Sequence, residues 1–310
     1  VAEFKKEFYI LAALSTSGNH LVRFYGACLT PSLRIVMEYI GGGTLDKLLE
    51  SPNYVDWVDV FRWATECTLA VNTLHTWTPQ ILHRDLKPDN FLVTRSGTLK
   101  LSDFGTSRFS TDSNQQSLQT VRGTMAYCAP EPYLMQPFTT RADVYSLGVM
   151  LWEFTYRCIY HHHQRPFAEF HFKYDFQIVQ HAAKKHMRPT IPDLAPAPLA
   201  ETIRRCWDAN PLDRFEALDL LASLELCKAD LRERSPFWEA ALDAGADDGA
   251  MLLAKLAAAK KEKEKERQAE KERAEREREH TQEKRRLQER KEGDCRTAMA
   301  AVASSKSAAA

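Results

Sequence analysis

The chain has 310 residues, 44% of them hydrophobic, and its 42 basic and 42 acidic side chains give a formal net charge of zero. This balance argues against an overall attraction to nucleic acid or acidic lipid, and no run reaches the roughly 18 apolar residues that a membrane span needs. The seven cysteines are scattered without a CxxC pair, which favours reduced thiols in a cytoplasmic protein. We therefore expect a globular domain with a sizeable core.

The first third of the chain predicts a helix, two strands and a second, long helix. The opening helix is indicated by apolar residues at helical spacing, namely Phe4, Phe8, Leu11 and Leu14. Two β-type runs follow at 21–29 and 33–40. Thr44 is suited to cap a short helix after the triple glycine, and the apolar spacing of 56–76 predicts a long helix.

The middle of the chain alternates short strand-like pieces with polar turns and then becomes helical. The short apolar pieces lie at 81–83, 91–93 and 99–101. Helical patterns follow at 141–157, 168–185, 198–208 and 215–232. The order predicts a small strand-bearing part followed by a mainly helical part, without an internal repeat.

Composition changes sharply near residue 250, which predicts a separate tail. Residues 255–292 are nearly all Lys, Glu, Arg, Gln and Ala, with opposite charges at i,i+4, which supports a helix. Its apolar residues do not repeat at a and d positions, so a solvated single helix is favoured and a coiled coil is the alternative. We interpret 236–254 as a linker and 293–310 as a disordered tail. The charged helix is a spacer or a weak arm for binding a protein partner.

Three motifs lie in a fixed order within the middle of the chain: HRDLKPDN at 83–90, DFG at 103–105 and GTMAYCAPE at 123–131. Each motif alone is weak, and HRDLKPDN by itself could be a polar turn that caps its own backbone. As an ordered set they resemble the catalytic motifs of eukaryotic protein kinases, and the resemblance covers residues 1–235. It implies an α+β, protein-kinase-like bilobal fold, with an incomplete amino-terminal β lobe (1–45), a mainly helical carboxyl-terminal lobe (46–235) and a charged helical tail.

The resemblance assigns the chemistry of phosphoryl transfer to four side chains. Asp85 would accept a hydrogen bond from the substrate hydroxyl, and Lys87 would place a positive charge beside the γ-phosphate. Asn90 and Asp103 would supply hard oxygen ligands to Mg²⁺. The implied cofactors are ATP and Mg²⁺, and the implied partner is a protein substrate that carries a Ser or Thr hydroxyl.

The nucleotide-binding residues follow from the same resemblance. Met37 would be the gatekeeper beside the adenine pocket, and the backbone of Glu38 and Ile40 would bind adenine as the hinge. Leu92 would close the adenine site from below. Glu7 corresponds to the helix glutamate that pairs with the lysine of the family's third strand.

Further residues are assigned structural or regulatory roles. Arg84 would pair with a phosphate on the activation segment, whose candidate phosphosites are Ser110, Thr111, Ser113, Ser117 and Thr120. Phe104 and Gly105 complete the DFG motif, and Phe104 would stack in a spine with Leu11, Phe24 and His83. Glu131 would form a buried ion pair with Arg214. Asp143, an acid in an apolar helix, would cap the backbone of the catalytic loop because it needs a partner there.

Substrate class is indicated by the residues after Asp85. The sequence Lys-Pro-Asp at 87–89, together with the hydroxyl of Thr124, is typical of Ser/Thr kinases, in which that hydroxyl bridges the Asp and the Lys. Several other segments resemble the tyrosine-kinase-like group, among them GACL, MEYIGGGTL and DVYSLGVMLWE. Ser/Thr specificity is therefore favoured, and dual specificity stays open.

Two features depart from the family pattern. The chain begins six residues before Glu7, without a glycine-rich loop or a VAIK-type lysine before that glutamate, so the 310 residues alone are expected to bind ATP weakly and to turn over poorly. The alternative function is a non-catalytic, kinase-like scaffold or binding module. The consecutive histidines 161–163 are interpreted as a loop insertion, because such residues do not converge on a tetrahedral metal site.

Overall fold

The structure, a computed structural model, describes residues 2–14, 18–28, 30, 32–111 and 124–234. These residues belong to one compact unit, Val1–Gly249. The linker 236–254, the charged segment 255–292 and the tail 293–310 lie outside the described residues, so their assignments stay predictions.

The amino-terminal part contains the predicted helix and strand pair. Helix α1 spans Ala2–Ala13, strand β1 spans Phe24–Cys28 and strand β2 spans Arg34–Met37. The two strands are antiparallel, with Phe24 opposite Met37. The apolar spacing of the opening segment therefore predicted the helix correctly, and the β-branched and aromatic residues of the two runs predicted the strands.

The next two helices start at capping side chains. Helix α2 spans Leu45–Glu50, and the Thr44 hydroxyl accepts a backbone hydrogen bond of 3.3 Å from its first turn. Helix α3 spans Trp57–His75, and the Asp56 carboxylate accepts one of 2.9 Å. Each bond satisfies a backbone N–H that has no partner inside its helix. The cap predicted at Thr44 is confirmed.

Four short strands surround the polar turns that hold the motifs. They are β3 (Ile81–Leu82), β4 (Phe91–Val93), β5 (Leu99–Leu101) and β6 (Arg108–Phe109). Strands β4 and β5 form one antiparallel pair, and β3 and β6 form another. The first three were predicted from their apolar runs. Strand β6 was missed because two residues carry no alternation that a sequence pattern could detect.

The carboxyl-terminal part is helical. Its helices are α4 (Thr140–Tyr160), α5 (Phe176–Lys184), α6 (Ala197–Cys206) and α7 (Ala217–Arg234). Helix α4 is buried around most of its circumference and packs against α3 and α6. At Gly148 an added Cβ would lie 2.5 Å from the Cβ of Cys206, so glycine permits the close approach of α4 and α6. None of the helices in the described ranges is both long and apolar enough to span a bilayer.

The helix predicted at 168–185 is wrong for its first half. Residues 168–170 form a single 3₁₀ turn, and Phe167 and His171 on either side have φ angles of 65° and 49°. Left-handed backbone at both ends prevents helix propagation. The aromatic residues of this segment contact one another, with the rings of Phe170 and Phe172 5.9 Å apart. The antiparallel strand pairs of the first part and the helical carboxyl-terminal part confirm the predicted α+β class.

Candidate active site

The loop 83–90 is held in place by a buried carboxylate of α4. Asp143 accepts hydrogen bonds from the backbone N–H of His83 (3.0 Å) and of Arg84 (2.9 Å), and its Oδ2 lies 2.9 Å from Nε2 of His75. Burial by itself would raise the pKa of Asp143, but the hydrogen bond and charge of His75 and the Arg84 N–H outweigh it and lower that pKa. The predicted cap of this loop by Asp143 is therefore present.

Three predicted catalytic side chains meet in the loop. Nδ2 of Asn90 donates to the backbone oxygen of Asp85 (2.7 Å) and to its Oδ2 (3.2 Å). Nζ of Lys87 lies 3.4 Å from Oδ2 of Asp85 and donates to Oγ1 of Thr124 at 3.1 Å. The contacts place Lys87 between a carboxylate and a hydroxyl, as predicted. Because the amide N–H₂ of Asn90 is directed at Asp85, its amide oxygen is left for another ligand.

The fourth predicted catalytic residue is tied to the loop through the backbone. The N–H and the hydroxyl of Ser102 both donate to the backbone oxygen of Asn90, at 2.8 and 2.9 Å. Asp103 follows with a φ of 58°, and its Oδ1 accepts a hydrogen bond of 3.3 Å from the N–H of Gly105. The exposed carboxylate of Asp103 is thereby held in a tight turn next to the residues that contact Asp85.

Glu7 of α1 faces Asp103 across the glycine of the DFG motif. A Cβ added at Gly105 would lie 3.3 Å from Oδ1 of Asp103 and 3.9 Å from Oε2 of Glu7. Burial, and then the negative charge of Asp103, raise the pKa of Glu7. Two carboxylates that share a space repel each other, so a cation placed there would be stabilised by both.

One contact of the predicted spine is present. The rings of His83 and Phe104 meet edge to face with centroids 5.3 Å apart, and both residues are buried. Burial lowers the pKa of His83, which favours the neutral imidazole. The ring of Phe24 contacts Phe8 of α1 at 5.7 Å, so the strand pair also packs on the helix that carries Glu7.

The predicted hinge is anchored at its first residue. The N–H of Glu38 donates to the backbone oxygen of Arg23 (2.8 Å), and its carboxylate binds Nζ of Lys100 at 2.6 and 2.8 Å. Met37 ends β2 with its side chain 40% exposed, and Ile40 is half-buried. The carboxylate of Glu38 thus connects the predicted hinge to β5.

The segment after the hinge runs along β4, where Leu92 lies. The N–H of Gly42 donates to the oxygen of Val93 (3.0 Å), and the N–H of Val93 donates to the oxygen of Gly43 (2.9 Å). A Cβ on Gly42 would lie 2.2 Å from that oxygen of Val93, so only glycine fits there. Leu92 forms a bridge with Thr44, and its half-buried side chain points away from the face that its buried neighbours occupy.

The predicted pair of Glu131 with Arg214 is also present. The guanidinium of Arg214 donates to Oε1 of Glu131 and to the oxygen of Asp208 (2.8 Å), and it lies 5.0 Å over the ring of Tyr145. Burial lowers the pKa of Arg214, and the charge of Glu131 opposes that effect. Both side chains are almost fully buried, so the pair fixes the end of the segment that begins at Asp103.

The predicted phosphate partner Arg84 lies under this segment. It has a φ of 74°, its guanidinium donates to the oxygen of Thr106 (3.3 Å), and it lies 5.7 Å over the ring of Phe138. Of the candidate phosphosites, Ser110 and Thr111 are described, while Ser113, Ser117 and Thr120 lie outside the described residues. The role of Arg84 in binding a phosphate stays a prediction.

Sequence reasoning missed several residues that support the site. They are His75 on Asp143, Lys100 on Glu38, Glu153 on Tyr127, and His163 on Glu153. A histidine at the end of α3 or a lysine within a strand has no distinguishing local pattern. Only the spatial neighbourhood identifies them.

Comparison with known proteins supports the interpretation of the site. A family model described as "Protein kinase domain" matches residues 2–224. Stress-activated protein kinase alpha of Dictyostelium discoideum is 42% identical over 240 residues, which are 77% of this chain and 37% of that protein. A probable serine/threonine-protein kinase of the same organism is 48% identical over 241 residues, which are 77% of this chain and 24% of that protein.

A third relative from Dictyostelium discoideum is described as a dual specificity protein kinase and is 34% identical over 217 residues, covering 68% of this chain and 32% of that protein. The chain thus spans between about a quarter and two fifths of the length of these relatives. The family model covers well over half of the chain, and its range includes the loop 83–90, the DFG turn and the Glu131–Arg214 pair. The chain belongs to the protein kinase family.

Proposed function

We propose that this protein transfers the γ-phosphate of Mg·ATP to Ser or Thr hydroxyls of protein substrates. The observation that carries the proposal is the joined cluster of Asp85, Lys87, Asn90 and Thr124, whose backbone is tied to Asp103 through Ser102. Phosphoryl transfer needs positioning and charge neutralisation more than covalent chemistry. This cluster brings together a carboxylate, a cation and the amide oxygen of Asn90, next to the carboxylate of Asp103.

Each side chain of the cluster has a role that its contacts suit. The carboxylate of Asp85 orients the attacking hydroxyl and accepts its proton as the bond to phosphorus forms. The ammonium of Lys87, held by Asp85 and Thr124, stabilises negative charge on the transferring phosphoryl oxygens. Asn90 keeps Asp85 in place through its two hydrogen bonds.

The donor set also fits the proposed cofactors. The amide oxygen of Asn90 and the carboxylate of Asp103 are oxygen ligands of the kind that Mg²⁺ prefers, and bound Mg²⁺ would supply charge neutralisation of the phosphates. Glu7 faces Asp103 and adds a negative charge that favours a cation there. The adenine ring would lie between the hinge, Glu38 to Ile40, and Leu92.

Specificity for Ser and Thr is supported by the contact between Lys87 and Thr124 and by relatives described as Ser/Thr kinases. Dual specificity is the second candidate, because one relative is described as a dual specificity kinase. We also propose a cytoplasmic location, consistent with the free cysteines among the described residues, and an arm for a protein partner at 255–292.

The product of the reaction tests this proposal. The natural full-length polypeptide that contains this chain should transfer ³²P from γ-labelled ATP to a mixed protein substrate, and acid hydrolysis of the product should yield labelled phosphoserine and phosphothreonine. Labelled phosphotyrosine in comparable amount would instead support dual specificity. No labelled amino acid above the ATP-only control would support a non-catalytic scaffold and contradict the proposal.

A further inference from the structure

The histidine loop that follows α4 makes a contact with the buried side of that helix. Nε2 of His163 lies 2.6 Å from Oε1 of Glu153, whose side chain is fully buried. The His163 side chain is itself only 11% exposed. A buried carboxylate is costly unless it is paired and hydrogen-bonded, and His163 is the hydrogen-bonding partner of this oxygen of Glu153.

The second oxygen of Glu153 connects this pair to the segment that ends at Glu131. Oε2 of Glu153 accepts a hydrogen bond of 2.8 Å from the hydroxyl of Tyr127, and Tyr127 is buried. One carboxylate therefore joins the histidine loop to the chain between the DFG turn and α4. His163 and Tyr127 use different oxygens of Glu153, so both bonds are made at once.

Tyr127 in turn leads to the proposed catalytic lysine. Its backbone N–H donates to the oxygen of Thr124 (3.0 Å), and its own oxygen accepts a hydrogen bond of 2.7 Å from the hydroxyl of Ser146. The hydroxyl of Thr124 accepts the hydrogen bond from Nζ of Lys87, and that same Nζ lies 3.4 Å from Oδ2 of Asp85. A continuous series of contacts thus leads from His163 through Glu153 and Tyr127 to Thr124.

The charges around His163 favour its protonated form. Burial by itself would lower the pKa of His163, but the hydrogen bond and charge of Glu153, and the charges of Asp46 and Glu50 on α2, outweigh it and raise that pKa. Burial raises the pKa of Glu153, and the hydrogen bond and charge of His163 and the hydroxyl of Tyr127 oppose the rise.

Tyr127 remains the donor in this arrangement. Burial, the charge of Glu153 and the hydrogen bond to it, and the charges of Asp46 and Asp89, raise the pKa of Tyr127 well above its usual value. Its hydroxyl is therefore protonated throughout the range in which the imidazole of His163 titrates.

We propose that His163 is a positioning residue for phosphoryl transfer: as an imidazolium it keeps the carboxylate of Glu153 directed at Tyr127 and so fixes the turn that presents Thr124 to Lys87. This inference rests on the proposed kinase function only where kcat is measured. His163 lies outside the three motifs at 83–90, 103–105 and 123–131.

The pH dependence has a definite sign. His163 has a higher pKa in the folded protein than the ordinary value of 6.5, so the stabilisation that its positive charge contributes is lost as pH rises through that raised pKa. The turn at Thr124 therefore loosens on the alkaline side. We therefore expect kcat to fall on the alkaline side of the pH profile as His163 loses its proton; this fall is the alkaline limb. The KM for ATP should stay unchanged because the hinge is not involved.

The matched variants are His163→Gln, which keeps a neutral hydrogen-bond donor, His163→Lys, which keeps a cation that does not titrate near neutrality, and His162→Gln as the control. The ring of His162 contacts Tyr156 at 5.5 Å and its residue is exposed. The readouts on the full-length polypeptide are NMR titration of the histidine rings, hydrogen exchange of peptides within 124–131, and kcat as a function of pH.

We expect His163→Gln to lower kcat by about tenfold and to speed exchange within 124–131, with His162→Gln unchanged in both. His163→Lys should restore kcat and remove the alkaline limb, which a merely structural role would leave in place. Glu153→Gln should lower the pKa of His163 measured by NMR. Unchanged exchange in His163→Gln, or a limb that persists in His163→Lys, would overturn the inference. The NMR and exchange results test it even if the wild-type protein transfers no phosphate.

Discussion

Replacing Asp85 with asparagine is expected to lower the rate constant of phosphoryl transfer by a factor of about 10²–10⁴, the usual contribution of a positioned general base. The asparagine would keep the shape of the side chain and a contact with Lys87 or Asn90. In the wild type, Nζ of Lys87 and Nδ2 of Asn90 lie 3.4 and 3.2 Å from Oδ2 of Asp85. It would lose the negative charge that accepts the proton of the attacking hydroxyl. Single-turnover transfer of ³²P from ATP, measured with the natural full-length polypeptide, gives the rate constant.

The matched control is Asp89→Asn, an exposed carboxylate of the same loop. It removes the same charge four residues away and should leave the rate constant within about twofold, because exposed charges are strongly screened. Equal rates for the wild type and Asp85→Asn, with both variants folded, would remove Asp85 from the proposed mechanism.

Replacing Arg214 with methionine is expected to destabilise the fold by about 3–5 kcal/mol, since it leaves the buried carboxylate of Glu131 without its cation. Methionine preserves much of the side-chain volume. The loss in the free energy of unfolding therefore measures what the charge of Arg214 and its hydrogen bonds to Glu131 and Asp208 contribute. Denaturant unfolding followed by circular dichroism gives the free energy of unfolding.

A surface ion pair on α6 supplies the control for Arg214. Arg204 lies 3.5 Å from Glu201, with the two side chains 58% and 64% exposed, and such pairs contribute about 0–1 kcal/mol. Arg204→Met should therefore change the free energy of unfolding by less than about 1 kcal/mol. If Arg214→Met cost no more than Arg204→Met, the Glu131–Arg214 pair would not hold the end of the segment.

The elements that could be predicted from the sequence are those whose residues carry a repeating pattern. The long helix Trp57–His75 follows from apolar spacing, and the pair β4–β5 follows from two short apolar runs. The helix predicted at 168–185 is wrong in its first half because the backbone at Phe167 and His171 is left-handed. Spacing alone does not report the φ angle of a non-glycine residue.

The contacts of the candidate site also fall into those that the sequence predicts and those that it does not. Contacts within or between the motifs were predicted, including Asn90 with Asp85 and Glu131 with Arg214. Contacts made by single polar residues far apart in sequence were not, because nothing in a local window marks them. His75 with Asp143 and Lys100 with Glu38 are separated by 68 and 62 residues. Their partners become apparent only when the fold brings α3 beside α4 and β5 beside the hinge.

The dependence of phosphoryl transfer on Mg²⁺ tests the central claim most directly, since the claim is that Asp103 and Asn90 hold the metal beside Asp85. The half-saturating Mg²⁺ concentration should be measured for the wild type, Asp103→Asn and the Asp89→Asn control. We expect transfer to vanish in EDTA and the Mg²⁺ requirement of Asp103→Asn to rise at least about tenfold, with the control unchanged. Transfer that proceeds equally in EDTA, or an unaltered Mg²⁺ requirement in Asp103→Asn, would contradict this account of the site.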